Sequence, residues 1–124
     1  MKTQESMENY LETIFLLEKR SPEVRSIDIA NALGFSKPSI SNAMKKLKQE
    51  GYIHMEDRGL VSLTEEGRAV AMNTYEKHCV LTKLLTEFGV SREIAMEDAC
   101  RMEHVISEEA FDCIKKYIEE NELL

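Results

Sequence analysis

Three side chains of types that bind metal ions lie within five consecutive residues, Cys100-Arg101-Met102-Glu103-His104. The thiol, the carboxylate and the imidazole stand at positions i, i+3 and i+4. On a helix these positions fall within an arc of about 100°, so all three groups can face one point. The spacing therefore predicts a metal site. The alternative is that Cys100 and His104 are ordinary buried residues and that Glu103 is solvated.

The composition suits a small helical protein that gains burial by self-association. The 124 residues are 43% hydrophobic and 31% charged, which allows one compact domain or two small helical subdomains without a deep core. We therefore expect a homodimer. Three cysteines, no signal-like N-terminus and no apolar run of the ~20 residues that span a bilayer favour a reducing cytoplasm.

Charge is divided unevenly between the two halves of the chain. Residues 1–64 hold nine acidic and nine basic side chains, whereas residues 65–124 hold fourteen acidic and seven basic ones. The whole net charge of −7 therefore belongs to the second half. Within the neutral half, residues 36–50 carry four lysines against one glutamate. A small basic face of this kind can contact phosphates even on an acidic protein.

The first half has the pattern of a helix followed by a helix-turn-helix. Apolar residues recur at helical spacing over residues 5–19, which predicts one amphipathic helix with Asn9 and Glu12 on its polar side. Ser26 is expected to cap a short second helix. Ser36 is expected to cap a third, which follows directly after a Gly-Phe turn.

The start of the third helix carries the expected DNA contacts, because the second helix of a helix-turn-helix enters the major groove by its N-terminal end. Asn42 could pair with adenine, Lys37 with phosphate or guanine, and Pro38 could touch a thymine methyl. Lysines further along would contact the DNA backbone. The alternative is a solvated helical hairpin. The full set of expected contacts on this helix is Ser36, Lys37, Pro38, Ser39, Ser41, Asn42, Lys45 and Lys46.

A predicted β-hairpin follows the helix-turn-helix. Residues 52–55 and 60–63 are two strand-like runs, and Arg58-Gly59 between them fits a tight turn. A hairpin in this place is the wing of a winged helix, and Arg58 at its tip could reach a phosphate or the minor groove. We therefore predict a winged helix-turn-helix DNA-binding domain over residues 1–64.

The second half is predicted to be all helical. Thr64 caps a long helix with His78 near its middle, and two further serine-capped helices follow, the first of which carries the metal-binding triplet. Cys79 and Cys113 are interpreted as small apolar residues. The wide apolar surface favours a self-associating interface. The predicted fold is thus mainly α with one β-hairpin, and residues 65–124 form a helical dimerisation and metal-binding domain.

Residues 96–107 resemble the central motif of the diphtheria toxin repressor family, which includes the manganese transport regulators. The similarity extends through residues 7–14, residues 35–41 and the Lys77-His78 pair, so it covers almost the whole chain. It implies a dimeric repressor, activated by a divalent metal, that binds a palindromic operator when iron or manganese is replete. We expect the short form of the family, without its C-terminal β-barrel domain.

The resemblance also implies a ligand set. Cys100, Glu103 and His104 match metal ligands of the family, and His78 matches one that the long helix contributes. Glu12 matches a carboxylate ligand of manganese-type members. Asn9 would complete the site, although iron-type members usually have methionine there and manganese-type members aspartate. The full set is Asn9, Glu12, His78, Cys100, Glu103 and His104.

The chemistry of these ligands is mixed. A thiolate is a soft ligand that favours iron, cobalt or zinc, whereas Glu12 and Glu103 are hard and suit manganese or ferrous iron. We expect Fe²⁺, then Mn²⁺, with Zn²⁺ also bound in vitro. The metal would join the first helix to the second half of the chain, fix each DNA-binding head relative to the dimer core, and act as co-repressor for metal-uptake or homeostasis genes.

Two other functions remain open. The first is a metal-independent winged-helix regulator that senses a small molecule or thiol oxidation through Cys100. The second is a small hydrolytic metalloenzyme, which is disfavoured because the sequence offers no spare base or oxyanion-stabilising group near the ligands. We predict that the protein is not an enzyme and takes no small organic substrate.

Overall fold

The computed structural model describes residues 3–121, with side chains from residue 6 onward. Helices dominate these residues, and the strands are short, which confirms the predicted fold class. The elements are α1 (Thr3–Glu18), β1 (Val24–Arg25), α2 (Ser26–Leu33), α3 (Lys37–Gln49), β2 (Ile53–Glu56), a 3-10 turn (Asp57–Gly59), β3 (Leu60–Leu63), α4 (Glu65–Glu87), α5 (Arg92–Met102) and α6 (Glu108–Glu120).

The chain divides into two compact units, Met1–Met72 and Asn73–Leu124, and α4 runs from the first into the second. The domain boundary that the sequence suggests, after residue 64, lies at the start of α4 and stays a prediction. Among the described residues, no helix is both long enough and apolar enough to cross a membrane.

The helix-turn-helix forms as predicted. Gly34 ends α2 in the left-handed region, at φ 72°, and its N–H donates to the carbonyl of Ala30 at 2.9 Å. Ser36 caps α3 by accepting a hydrogen bond from the N–H of Ser39 at 3.3 Å. Because glycine has no Cβ, it adopts this left-handed conformation at little cost, and the chain can turn sharply between the two helices.

The predicted hairpin is formed by β2 and β3, which pair antiparallel with Ile53 opposite Leu63. Arg58 and Gly59 form the turn, both at positive φ (72° and 73°). This conformation is unusual for arginine, and it puts the exposed Arg58 at the tip of the wing.

Two features at the start of α2 differ from expectation. Val24 pairs with Val61, so β1 extends the hairpin into a three-stranded sheet of order β1-β3-β2. Two residues are too few to show the alternation that predicts a strand. The predicted cap Ser26 is instead the first helical residue, and Arg25 occupies the cap position, where its N–H donates to the carboxylate of Asp28 at 2.9 Å.

The core of the first unit joins its helices to the sheet, and the first turn of α4 closes it. Thr64 donates to the carbonyl of Gly51 at 2.8 Å and accepts from the N–H of Gly67 at 3.1 Å, which confirms it as the cap of α4. Gly67 packs directly on the carbonyl of Tyr52, leaving no space for a Cβ. The buried apolar side chains are Leu11, Ile14, Val24, Ile29, Ala30, Ile40, Met44, Leu47, Ile53, Val61, Leu63 and Ala71.

The second unit packs α4 and α6 around a small apolar cluster of Val80, Phe111 and Ile118. Ser91 and Ser107 cap α5 and α6, as predicted, by accepting backbone N–H groups at 3.5 and 3.1 Å. Cys79 and Cys113, interpreted from the sequence as small apolar residues, are both exposed in the single chain.

Two ion pairs of opposite polarity also connect α4 with α6. Lys77 Nζ on α4 lies 2.6 Å from Glu108 Oε1 on α6, and Lys115 Nζ on α6 lies 3.2 Å from Glu76 Oε2 on α4. The hydrogen bond from Lys77, with a smaller one from Asn73, holds the pKa of Glu108 below its ordinary value. The two pairs differ in burial, because the side chain of Lys77 is 8% exposed and that of Lys115 35%.

Candidate metal centre

The metal-binding triplet lies where α5 ends. Cys100 is in the last turn of α5, but the helix stops at Met102, so the expectation that one helix carries all three residues is wrong for Glu103 and His104. The N–H of Val105 donates back to the carbonyl of Met102 at 3.1 Å and closes the helix with a tight turn. Glu103 nevertheless keeps helical angles, φ −60° and ψ −25°, and the predicted convergence is therefore preserved.

The structure brings four of the six predicted ligands together. Ligand atoms of Cys100, Glu103 and His104 all lie within 4.8 Å of one another. His78 reaches the same carboxylate from α4, with its Nδ1 3.4 Å from Glu103 Oε2, while His104 Nε2 lies 3.4 Å from Glu103 Oε1. Glu103 is thus at the centre of the cluster, flanked by two imidazoles. Cys100 occupies its solvent-exposed side.

Glu103 is a buried carboxylate to which no described residue donates a hydrogen bond. The residue is 1% exposed, and neither side-chain oxygen accepts a hydrogen bond from any residue that the structure describes. A buried carboxylate is costly unless a cation or hydrogen-bond donors compensate its charge. One carboxylate, one thiol and two imidazoles around such a position fit a divalent transition-metal ion.

The two ligands predicted on α1 belong to the other unit. Glu12 is 8% exposed despite its charge, and Asn9 is half-buried, with its carbonyl accepting a hydrogen bond from Thr13 Oγ1 at 2.8 Å. The contribution of Asn9 and Glu12 to a metal site stays a prediction.

The predicted DNA contacts form an exposed face of the first unit. Every member of the predicted set on α3 and at its cap is exposed, as is Arg58. Lys37, Ser41 and Arg58 line one open hollow of about 260 Å³, between the start of α3 and the tip of the wing. Lys46 instead lines a separate hollow between α3 and the first turns of α1.

The hollow contains a basic residue that the sequence reasoning missed. Arg25, at the cap of α2, lines it together with Ser26. The available signal was a basic residue next to the start of the first helix of a helix-turn-helix, where backbone N–H groups also point outward. Three cations, Arg25, Lys37 and Arg58, therefore line one concave surface, and their positive charges suit contact with phosphate.

Two consecutive parts of the chain match known protein families. Residues 2–61 match the family described as iron dependent repressor, N-terminal DNA binding domain. Residues 64–122 match its companion, iron dependent repressor, metal binding and dimerisation domain.

Individual relatives are transcriptional regulators. The transcriptional regulator MntR of Escherichia coli O6:H1 is 36% identical over 117 residues, 94% of this chain and 76% of the relative. The diphtheria toxin repressor of Corynebacterium efficiens is 33% identical over 85% of this chain, which spans only 46% of that repressor. A manganese-dependent transcriptional repressor solved with manganese superposes with a TM-score of 0.82 at 25% identity, over 91% of this chain and 52% of that one.

The fold, the cluster around Glu103 and the matched sequences lead to one conclusion. The chain belongs to the iron-dependent repressor family, the metal-dependent transcriptional repressors that include the diphtheria toxin repressor and MntR.

Proposed function

We propose that this protein is a DNA-binding transcriptional repressor for which Fe²⁺ or Mn²⁺ is the co-repressor, and that it controls genes of metal uptake or homeostasis. The observation that carries the proposal is the buried Glu103 carboxylate, which lies between His78 and His104 and beside the thiol of Cys100 without accepting a hydrogen bond from the described residues. The winged helix-turn-helix supplies the DNA-binding surface.

We propose Fe²⁺ as the first choice and Mn²⁺ as the second. When bound, the ion supplies positive charge that neutralises the thiolate and the buried carboxylate. The thiol of Cys100 favours iron over manganese because it is the softest ligand of the set. Zn²⁺ would bind the same groups in vitro, since its affinity for such sites exceeds that of both metals.

The proposed response to metal depends on ligands from both units. Asn9 and Glu12 belong to the DNA-binding unit, and we propose that they join the four donors of the helical unit. Ligation by both groups would restrain the two DNA-binding heads of a homodimer. Two recognition helices must reach successive major grooves of a palindromic operator, about 34 Å apart. The restraint lowers the ordering free energy that otherwise opposes DNA binding.

The DNA-binding residues divide by role. Ser39 and Asn42, exposed near the start of α3, would meet base edges, whereas Lys45 and Lys46 would contact phosphates and add affinity without sequence information. Arg58 would reach the backbone from the wing. Since the target is double-stranded DNA, we propose that the protein acts in the cytoplasm and as a regulator, not as an enzyme.

The test is a mobility-shift titration on duplex DNA selected from a random pool by the wild-type chain with Mn²⁺. We expect affinity for the selected duplex to rise at least about tenfold with anaerobic Fe²⁺ or with Mn²⁺ over chelator, within the usual range of coupling between sites. Glu103→Gln should lose this difference, and Glu97→Gln, which changes an exposed carboxylate on the preceding helix α5, should keep it. Equal affinity with chelator and with both metals would contradict the proposal.

One observation favours a rival. Cys100 is exposed, as a thiol that senses an oxidant would need to be. A metal-independent regulator of this kind predicts DNA binding that changes with peroxide, is indifferent to chelator and is unaffected by Glu103→Gln. The same titration, repeated with peroxide in place of metal, separates the two functions.

A further inference from the structure

The Lys77–Glu108 ion pair lies beside the metal centre without belonging to it. Lys77 immediately precedes His78 on α4, and Glu108 is the first residue of α6, four positions after His104. Lys77 Nζ donates to Glu108 Oε1 at 2.6 Å. The pair therefore ties α4 to the end of the short segment, residues 103–107, that carries two of the candidate ligands.

The burial of Lys77 calls for a reason. Its side chain is only 8% exposed, whereas lysine is almost never buried unless it is paired. Its Nζ also lies 5.9 Å from the centre of the Phe111 ring. Withdrawing an ammonium group from water is costly, and an apolar residue of similar volume often stabilises a fold as well or better. The ion pair is therefore better explained by a role in positioning the segment 103–107 relative to α4 than by a contribution to stability.

Two adjacent residues of α4, Lys77 and His78, contact the segment 103–107 at its first residue and at the residue that directly follows it. His78 Nδ1 lies 3.4 Å from Glu103 Oε2 at the first end, and Lys77 holds Glu108 at the second. Each end is also anchored within its own helix, since the N–H of Glu103 donates to Ala99 and Ser107 caps α6. With both ends fixed to consecutive residues of one helix, the segment has little freedom to move Glu103 or His104 away from His78.

We propose that Lys77 is a positioning residue for the metal centre: through its ion pair with Glu108 it fixes the segment carrying Glu103 and His104 against His78. This inference rests on the proposed function, because it concerns how tightly the same site binds a divalent ion. Residues that orient metal ligands without touching the ion typically change metal affinity ten- to hundredfold when they are removed.

The test uses the full chain and Co²⁺ as the probe ion, measured anaerobically with a thiol reductant. Lys77→Met removes the ammonium group and keeps a similar apolar volume. We expect Co²⁺ affinity, measured by competition with a fluorescent chelator, to fall about tenfold, and the visible absorption bands of bound Co²⁺ to change because the ligands are less well ordered. Lys115→Met is the matched control, since it breaks the exposed pair with Glu76 across the same two helices; it should keep the wild-type affinity and spectrum.

A second variant covers the case in which Lys77→Met does not fold. Glu108→Gln changes a side chain that is 64% exposed, so folding should survive, and Co²⁺ affinity should fall in the same direction. If the folded variants of Lys77 and Glu108 bind Co²⁺ with the affinity and spectrum of Lys115→Met, the pair only stabilises the fold and the inference is overturned.

The outcomes for this inference and for the proposed function differ. A wild-type chain that binds no Co²⁺, or that binds it equally well after Glu103→Gln, overturns both. Binding that depends on Glu103 but not on Lys77 or Glu108 overturns the positioning role alone and leaves the proposed function in place.

Discussion

Substituting Glu103 by glutamine should affect stability with opposite signs in chelator and in metal. The wild-type carboxylate is 1% exposed, and among the described residues nothing donates a hydrogen bond to it. Glutamine has nearly the same volume but carries no charge. The substitution therefore removes the cost of burying a charge and, at the same time, removes the central ligand of the proposed site.

The magnitudes follow from these two facts. An unsatisfied buried charge costs more than an unsatisfied buried neutral amide, so without metal Glu103→Gln should raise the free energy of unfolding, by about 1 kcal/mol. For a chain of this size that raises Tm by about 3–6 °C. Metal at one hundred times its Kd should stabilise the wild type by about 2.7 kcal/mol and the variant by much less. The order of the two melting temperatures should therefore reverse between chelator and metal.

Both the stability change without metal and the stabilisation by metal can be measured by thermal unfolding. The unfolding is followed by circular dichroism at one fixed protein concentration, with chelator or with Mn²⁺. Glu97→Gln is the control, because this exposed carboxylate on α5 should shift stability by no more than about 0.5 kcal/mol in either condition. A Glu103→Gln variant less stable than the wild type in chelator, or stabilised equally by Mn²⁺, would refute the interpretation of Glu103 as a buried carboxylate whose charge a bound metal ion compensates.

Three further predictions concern other parts of the molecule. Gly67→Ala should destabilise the protein by about 1–3 kcal/mol in urea unfolding, because the new Cβ would overlap the carbonyl of Tyr52; an unchanged midpoint would contradict the packing of α4 on that loop. Arg25→Ala should weaken binding to all duplexes about equally and lower the salt dependence of log K by about one unit, whereas a sequence-selective loss would show that Arg25 reads bases. The pKa of Glu108 is lowered by Lys77, so the stabilisation by this pair is present above the ordinary value of 4.5 and is lost as pH falls through the lowered pKa. Urea midpoints between about pH 6 and about pH 3 should therefore fall less for Lys77→Met than for the wild type, and parallel curves would count against the pair.

The sequence predicted the elements of the fold well wherever a local signal was strong. Ser36, Thr64 and Ser107 cap the helices expected of them, because a side-chain oxygen before an apolar pattern is a local signal. β1 was not predicted, because its two residues form a strand only through pairing with β3, where Val24 lies opposite Val61.

The part of the candidate site that lies within a few residues of sequence was also predicted, because its signal is local. The spacing of Cys100, Glu103 and His104 is local, and the three do converge. The carboxylate of Glu103 is buried and lies between two histidines. This arrangement depends on how α4 packs in the second unit, and a short sequence motif cannot predict that packing. The ion pair of Lys77 and Glu108 joins residues 31 positions apart, so single-sequence patterns carry no signal for it.

The exposure of Cys79 and Cys113 shows a different limit. Cysteine is one of the most often buried residue types, but the interpretation of both residues as small apolar side chains left their burial undecided. Both residues instead lie on the outer sides of their helices. Statistical preference for burial does not decide which face of an amphipathic helix a single residue occupies, because the packing partners of that face are set by the rest of the fold.

The most direct test of the co-repressor role is the reciprocity between metal and DNA. Thermodynamic linkage requires that the factor by which Mn²⁺ tightens binding of a selected duplex equal the factor by which that duplex tightens binding of Mn²⁺. Both constants can be measured on the wild-type chain, by fluorescence anisotropy of the labelled duplex and by chelator competition with and without the unlabelled one. We predict a common factor of about 5–150. A factor of one in both measurements would show that metal and DNA bind independently and would contradict the proposed function.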